Sequence, residues 1–352
     1  MSKRDQFWDC VRGMAILLVV TTHYIGGVNP VCKCTSFAEV VASLMRQVAC
    51  YGVPLFIFMA GYFVRIEKAA GEHWMQDFIW PKAKRIVIPY FIWSVLTILL
   101  WRPTSLLDVG NFLCRDLLLG YGIGIGYYIT HLLQLIVITP LLVGALRKTV
   151  CLTFVVVVLL NFCGDALFYL AAKRVVGSLG LSVPVPFPGI FCVMWILPYT
   201  LGLAFRMFEE AVDKFLKAIL WRYLIFAVAV AFAMQLVESC FWADRFISIE
   251  QYRLSVLLVV VVLCAVIFRV RRRLKLPVIL SYLGAVSFLA YLTHMQLLVY
   301  FWAAGQHGLW MSRTNPIAII VVLAFMLVVY RFIYIIANRL FSIRWCKIMA
   351  FA

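Results

Sequence analysis

Ten stretches of this 352-residue chain are long and apolar enough to cross a bilayer, and that repetition leaves it one environment to fold in. A spanning helix takes about 20 mostly apolar residues, each rising ~1.5 Å through ~30 Å of hydrocarbon. The stretches lie at roughly residues 9–28, 41–64, 86–101, 127–146, 150–172, 188–205, 219–238, 254–268, 277–302 and 315–337. The third and eighth are short, and the second and ninth are long enough to tilt or break. Apolar residues make up 65% of the chain and charged residues 13%, where soluble domains average about 45–50% and 25%. The predicted fold is all-α, a polytopic transmembrane bundle of about ten spanning helices.

Ten helices of ~20 residues leave roughly 150 residues for nine connections and two tails. No loop holds a soluble catalytic domain, so residues 1–352 are read as one integral-membrane domain with nothing soluble appended. Any chemistry must lie within the bundle or at its mouths. The formal charge, 32 Lys and Arg against 15 Asp and Glu, is +17, which in a soluble protein would suggest nucleic acid. Here the basic residues alternate. The N-terminus and every second loop carry 20 of them, among them Lys84, Arg85, Arg147, Arg206 and the run Arg271–Arg273, while the intervening loops carry 8. Positive charge collects on the cytoplasmic side, so both termini are expected there and no nucleic-acid partner is implied. The first span, interrupted by Asp9 and Arg12, lacks a small-x-small cleavage site and is expected to stay in the mature protein. The 11 cysteines are too scattered for a disulfide framework, although Cys32, Cys34, Cys114 and Cys240 share the outer side. No metal site is expected, since Cys32 and Cys34 have no His nearby.

Ionisable groups inside hydrocarbon cost about 2.5–3.5 kcal/mol each at a helix centre, so each needs a reason. Among them are Asp9, Arg12 and His23 in the first stretch, Arg46 in the second, His131 in the fourth, Asp165 in the fifth, His294 in the ninth and Arg331 in the tenth. Arg12 and His23 are eleven positions apart, ~1100° of helical turn, within about 20° of three full turns. Both therefore project from one face, about 16 Å apart along the axis, with Arg12 near the cytoplasmic end and His23 in the outer half. Counted along a continuous ninth helix, His294 lies ~24 Å from its start, against ~21 Å for His23. His131 falls one turn below the outer surface. Plainer roles stand beside these. Asp9 and Arg12, at i and i+3, can pair with each other, a lone transmembrane His can serve as an interhelical hydrogen-bond partner, and Arg46, Asp165 and Arg331 are read as structural.

Two further features are weaker. The run Gly120-Tyr-Gly-Ile-Gly-Ile-Gly126 lacks the Lys-Ser/Thr ending of a phosphate loop and is read as flexibility at the mouth of the fourth helix. Pro184, Pro186 and Pro188 mark an extended outer connection.

These residues resemble the integral-membrane acyltransferase 3 family along nearly the whole chain. The carriers are Phe7-Trp-Asp9-Cys-Val-Arg12-Gly-Met-Ala15 leading to His23, then Val53-Pro-Leu-Phe-Ile-Phe-Met-Ala-Gly-Tyr62, Lys84-Arg85-Ile-Val-Ile-Pro89-Tyr90, and Ser287-Phe-Leu-Ala-Tyr291-Leu-Thr-His294. Tyr127-Tyr128 stands where the family often shows Trp-Phe or Trp-Tyr, and Ala60 where many members have Ser. The hydrolase-like domain fused to some members is absent. The resemblance implies transfer of an acyl group, expected to be acetyl, from cytoplasmic acyl-CoA to a hydroxyl of a cell-surface glycan or lipid-linked saccharide. It implies a multi-pass protein of a bacterial inner membrane, with acyl-CoA as co-substrate and no permanently bound cofactor.

Arg12, Arg85 and Lys84 are then the cations expected to meet the donor's phosphates, which suit the planar donor fork of Arg. His23 is the expected general base, since a neutral imidazole is the best available base near pH 7. His294, Tyr291 or Tyr62 is expected to orient it or to stabilise the oxyanion, and Tyr62, Tyr128, His131 and Tyr291 to meet the acceptor. A relay through an acyl-histidine is a second route. The competing reading is a transporter or flippase of a lipid-linked saccharide, but no two-half symmetry with broken helices is visible. A purely structural protein would carry the ionisable stripe at needless cost.

Overall fold

The computed structural model describes residues 5–27, 29–101, 110, 117, 120, 126–172, 191–241, 253–306 and 314–340. Among them every predicted stretch is met by helix, with ends moved by a few residues. The helices are α1 (Gln6–Ile25), α2 (Phe37–Ala49), α3 (Gly52–Tyr62), α4 (Ile66–Ala69), α5 (Trp80–Trp101), α6 (Tyr127–Lys148) and α7 (Val150–Ala172). They continue as α8 (Ile196–Met207), α9 (Glu209–Ala218), α10 (Trp221–Phe241), α11 (Leu254–Val270), α12 (Val278–Ala285), α13 (Ser287–Gln306) and α14 (Pro316–Leu340). Of the two stretches expected to tilt or break, the ninth breaks at Val286, where α12 and α13 are bent by 82°, while the second, with a short turn between α2 and α3, runs as one span Phe37–Tyr62. Short elements outside the predicted stretches include α4, the π-helical turn Met75–Ile79 and α9, a charged helix with Asp213 and Leu216 buried.

By length and composition five helices suffice to cross a membrane, or six if the bent pair is one span, among the described residues. The segments Cys192–Met207 and Leu254–Val270 are apolar but shorter. The all-helical, membrane-type fold is therefore as expected, with five or six helices of spanning length and composition, among the described residues, against the ten predicted. The connections holding Cys114, Pro184, Pro186, Pro188 and most of the Gly120–Gly126 run lie outside the described residues.

The helices gather into two compact units. The first comprises residues 1–53, 88–126 and 270–352. Its centre is α1, which starts at Asp5, whose carboxylate accepts from the Phe7 amide at 3.0 Å, and stops at Gly26, whose φ of 65° suits glycine. Cys10, Val11, Ala15, Ile16, Val19 and Val20 are buried along it. Helix α12 lies directly against α1 through two glycines. A Cβ on Gly13 would run into the Leu280 carbonyl, and one on Gly284 into the Asp9 carbonyl. Small residues at such a crossing let backbones approach, the usual basis of helix packing in lipid. Helix α2 begins with Ser36 accepting from the Glu39 amide at 3.2 Å, while the Glu39 carboxylate accepts from the Thr35 amide at 2.8 Å, a close relative of the capping box. Helix α14 is tied to α13 by a 2.7 Å hydrogen bond between Tyr330 and Thr293. As expected of a structural residue, Arg331 lies over the Tyr282 ring at 5.4 Å.

The second unit comprises residues 54–87 and 127–269. Here α3 and α8 meet through a second glycine pair, Gly61 against the Tyr199 carbonyl and Gly202 against the Phe58 carbonyl. Phe58, Tyr62, Phe205 and Phe268 form an aromatic cluster beside that contact. Tyr199 and Thr139 share a buried 2.7 Å hydrogen bond. Asp165 accepts from the Asn161 amide at 3.0 Å, one helical turn away.

Candidate functional site

The first unit holds Arg12, His23, Tyr291 and His294 together. The Arg12 guanidinium pairs with the Asp9 carboxylate at 2.5 Å, one turn earlier on α1. Asp9 is buried while the arginine side chain keeps 30% of its exposure, so the cation faces the more open side of the pair. The i,i+3 pairing open to these residues by spacing alone is thus made.

His23 is half-buried, two residues before the end of α1. Its ring centroid is 5.4 Å from that of His294 on α13, with the planes tilted by 44°. His294 is fully buried, and Tyr291 packs on it at 5.9 Å. The depth count along one straight ninth helix does not account for this meeting, because α12 and α13 are not collinear. The two rings are brought together by the bend and the α1 contact instead.

The tautomer of His294 follows from its partners. Its Nδ1 lies 2.8 Å from the Tyr291 carbonyl and 3.1 Å from the Ala290 carbonyl. Carbonyl oxygens only accept, so Nδ1 carries the hydrogen and donates it. In the neutral ring Nε2 is then a bare lone pair, and it is buried without a hydrogen-bond partner. A hydrogen-bond acceptor held fixed and unsatisfied in a buried place calls for an explanation.

Arg46, expected to be structural, makes a structural contact whose place the sequence does not show. Read as structural, it is buried and its guanidinium donates to the Thr22 carbonyl at 3.1 Å, on the residue before His23. The chain therefore places a cation at the C-terminal end of α1, where the helix dipole favours one, directly beside the histidine pair. Its position 24 residues on from Thr22 gave no periodicity to read. Trp302 also reaches this end of α1, donating from its indole to the Tyr24 carbonyl at 3.3 Å.

The other predicted residues belong to the second unit. Tyr62 is buried in the aromatic cluster, stacked on Phe58 at 6.3 Å. Tyr128 packs on Phe56 at 6.2 Å. His131, fully buried one turn into α6, lies between Tyr127 at 5.8 Å and Trp195 at 6.4 Å. Lys84 and Arg85 are exposed at the start of α5, Lys84 over the Trp80 ring at 4.7 Å. Lys82, not singled out from sequence, lies over Phe78 at 4.6 Å. It precedes the apolar span that begins near 86, and burial together with Arg85 and Arg65 lowers its ammonium to about 8. Three cations thus share four residues at this helix start, ahead of any apolar run.

Residues 5–335 match the acyltransferase 3 family, described as an acyltransferase domain. Comparison with curated proteins and with solved structures finds no match. The family match takes in nearly the whole chain, including Asp9, Arg12, His23, the Lys84-Arg85 pair and His294. The chain belongs to the acyltransferase 3 family and is a membrane acyltransferase.

Proposed function

We infer that this acyltransferase moves an acetyl group from cytoplasmic acyl-CoA to a hydroxyl of a glycan or lipid-linked saccharide at the opposite membrane face. The observation that carries the reading is the imidazole pair, His23 and His294, 5.4 Å apart on two helices of one unit. A buried pair of bases is a poor structural choice in hydrocarbon and a useful one for moving a hydroxyl proton. His23, the more accessible of the two, is the general base. The hydroxyl oxygen attacks the thioester carbonyl as its proton passes to His23. The C–O bond forms, the C–S bond breaks, and the departing thiolate takes that proton to leave as the CoA thiol.

Lys84 and Arg85, exposed beside Lys82, meet the donor's phosphates, and Arg12 stands at the cytoplasmic end of the α1 stripe. Tyr62, Tyr128, His131 and Tyr291 serve the acceptor. All ten apolar stretches cross a bacterial inner membrane in this reading, with both termini cytoplasmic, as the 20 to 8 division of basic residues indicates.

The test is incubation of the purified protein in lipid with acetyl-labelled CoA and a polysaccharide acceptor. Wild type is expected to release CoA thiol and label the acceptor, and His23→Ala to do neither while retaining its melting temperature. A folded His23→Ala protein that transfers at the wild-type rate would overturn the assignment.

A further inference from the structure

We propose that His294 is a positioning residue that fixes the tautomer of His23. This rests on the reading of His23 as the base, and it assigns to the second imidazole a task that its burial allows. His294 is completely buried, so it reaches the acceptor hydroxyl only through another group. Its Nδ1–H is committed to the Tyr291 and Ala290 carbonyls of its own helix. Only Nε2 remains, and it can only accept.

The ring beside it supplies the matching donor. Two imidazoles joined edge to edge by an N–H···N bond of ~3 Å have centroids about 5.3 Å apart. The observed separation is 5.4 Å. No hydrogen bond joins the two rings at the observed 44° tilt; the proposed bond requires that His23 rotate about its side-chain torsions to bring one ring N–H onto the His294 lone pair. That hydrogen bond leaves the other His23 nitrogen without hydrogen, as a lone pair for the substrate.

The result is a directed chain. Backbone carbonyls accept from His294 Nδ1, His294 Nε2 accepts from one His23 nitrogen, and the remaining His23 nitrogen accepts the hydroxyl proton. When His23 takes that proton it becomes an imidazolium whose second N–H still points at an acceptor. The proton then leaves from the substrate side to the CoA thiolate, and His294 is neither protonated nor consumed. Tyr291 packs on the far partner of this chain, and Arg46, held by the Thr22 carbonyl, fixes the backbone from which His23 projects.

The chain has five histidines, so uniform ¹⁵N-histidine labelling gives a resolvable spectrum of the full-length protein in lipid nanodiscs. In wild type, His294 is expected as the Nδ1–H tautomer and His23 as a single tautomer. In His294→Ala, His23 is expected to average between both tautomers, with kcat down by about tenfold or more and KM for acyl-CoA unchanged. His294→Gln places an amide oxygen near the former Nε2 and is expected to restore one His23 tautomer and part of kcat. An unchanged His23 spectrum in His294→Ala, or a wild-type kcat, overturns the proposal. If His294→Ala does not fold, His294→Gln against His294→Leu carries the same comparison. If wild type turns over no acyl-CoA, the functional reading fails, while the spectra still decide whether His294 sets the His23 tautomer.

Discussion

Replacing Gly284 with alanine puts a methyl group into the backbone of Asp9, where α12 meets α1. The added carbon would lie 2.6 Å from the Asp9 carbonyl carbon and 3.1 Å from its Cα, with the oxygen closer still, where ordinary contacts begin at 3.4 Å. The atom that blocks it is main chain and cannot rotate away. The helices must therefore part by about 0.8 Å or more at this point. Gly13→Ala makes the same demand from the other side, 2.9 Å from the Leu280 carbonyl carbon. Overpacking of this kind costs ~1–3 kcal/mol. One separation relieves both clashes, so the double variant is expected to cost less than the sum of the singles. Asp9 carries Arg12, and misplacement by ~1 Å can cost on the order of 10²-fold in rate, so activity should fall further than stability. Thermal unfolding by tryptophan fluorescence and acyl-transfer rates on the three variants measure both. Wild-type melting and wild-type kcat in Gly284→Ala would refute the close contact and the argument built on it.

Arg12→Ala leaves the buried Asp9 carboxylate unpaired, whereas Asp9→Ala leaves a partly exposed guanidinium. The first is expected to lower the melting temperature more than the second, and adding Asp9→Ala to Arg12→Ala to recover part of the loss, in a double-mutant cycle. Lys82 sheds its proton at about 8 in the folded protein against an ordinary 10.5. The unfolded chain then binds more protons between those values, so stability rises with pH across about 8 to 10.5. At this patch, the proposed donor site, CoA affinity is expected to weaken as pH rises through 8, and Lys82→Met to remove both dependences in titrations of melting temperature and Kd. Tyr330→Phe removes the Thr293 hydrogen bond and should cost about 1 kcal/mol in chemical unfolding, with little change in KM.

The helices were legible because lipid enforces long apolar runs, and the family could be read from four short motifs that surround Asp9, Tyr62, Lys84 and His294. What hydropathy does not register is the backbone. Val286 looks like any apolar residue, yet the helix breaks there, and Gly284 and Gly13 matter only once two carbonyls lie against them. Arg46 is a structural residue whose contact hydropathy does not register either. Its partner is the Thr22 main-chain carbonyl, and main-chain partners have no sequence signature. The sequence puts His23 and His294 at nearly one depth by a count that assumes a straight helix, but it does not show the 5.4 Å approach of their rings.

The bend explains why that pairing survives. On a straight helix Gly284 and His294, ten positions apart, project ~80° from one another, and Leu280 and His294 ~40°. Helix α1 has the same divergence, ~40° between Asp9 and His23 and ~80° between Gly13 and His23. Two straight helices docked through their glycines would therefore turn the imidazoles away from the shared face. Breaking the ninth segment by 82° at Val286 separates the two requirements. Helix α12 is free to lie on Asp9 and Gly13 with backbone against backbone, and α13 takes its own direction to present His294 to His23. The clash-prone glycine contact then sets where α13 starts, so a change near the N-terminus of α1 is transmitted to the histidine pair through eight residues of short helix.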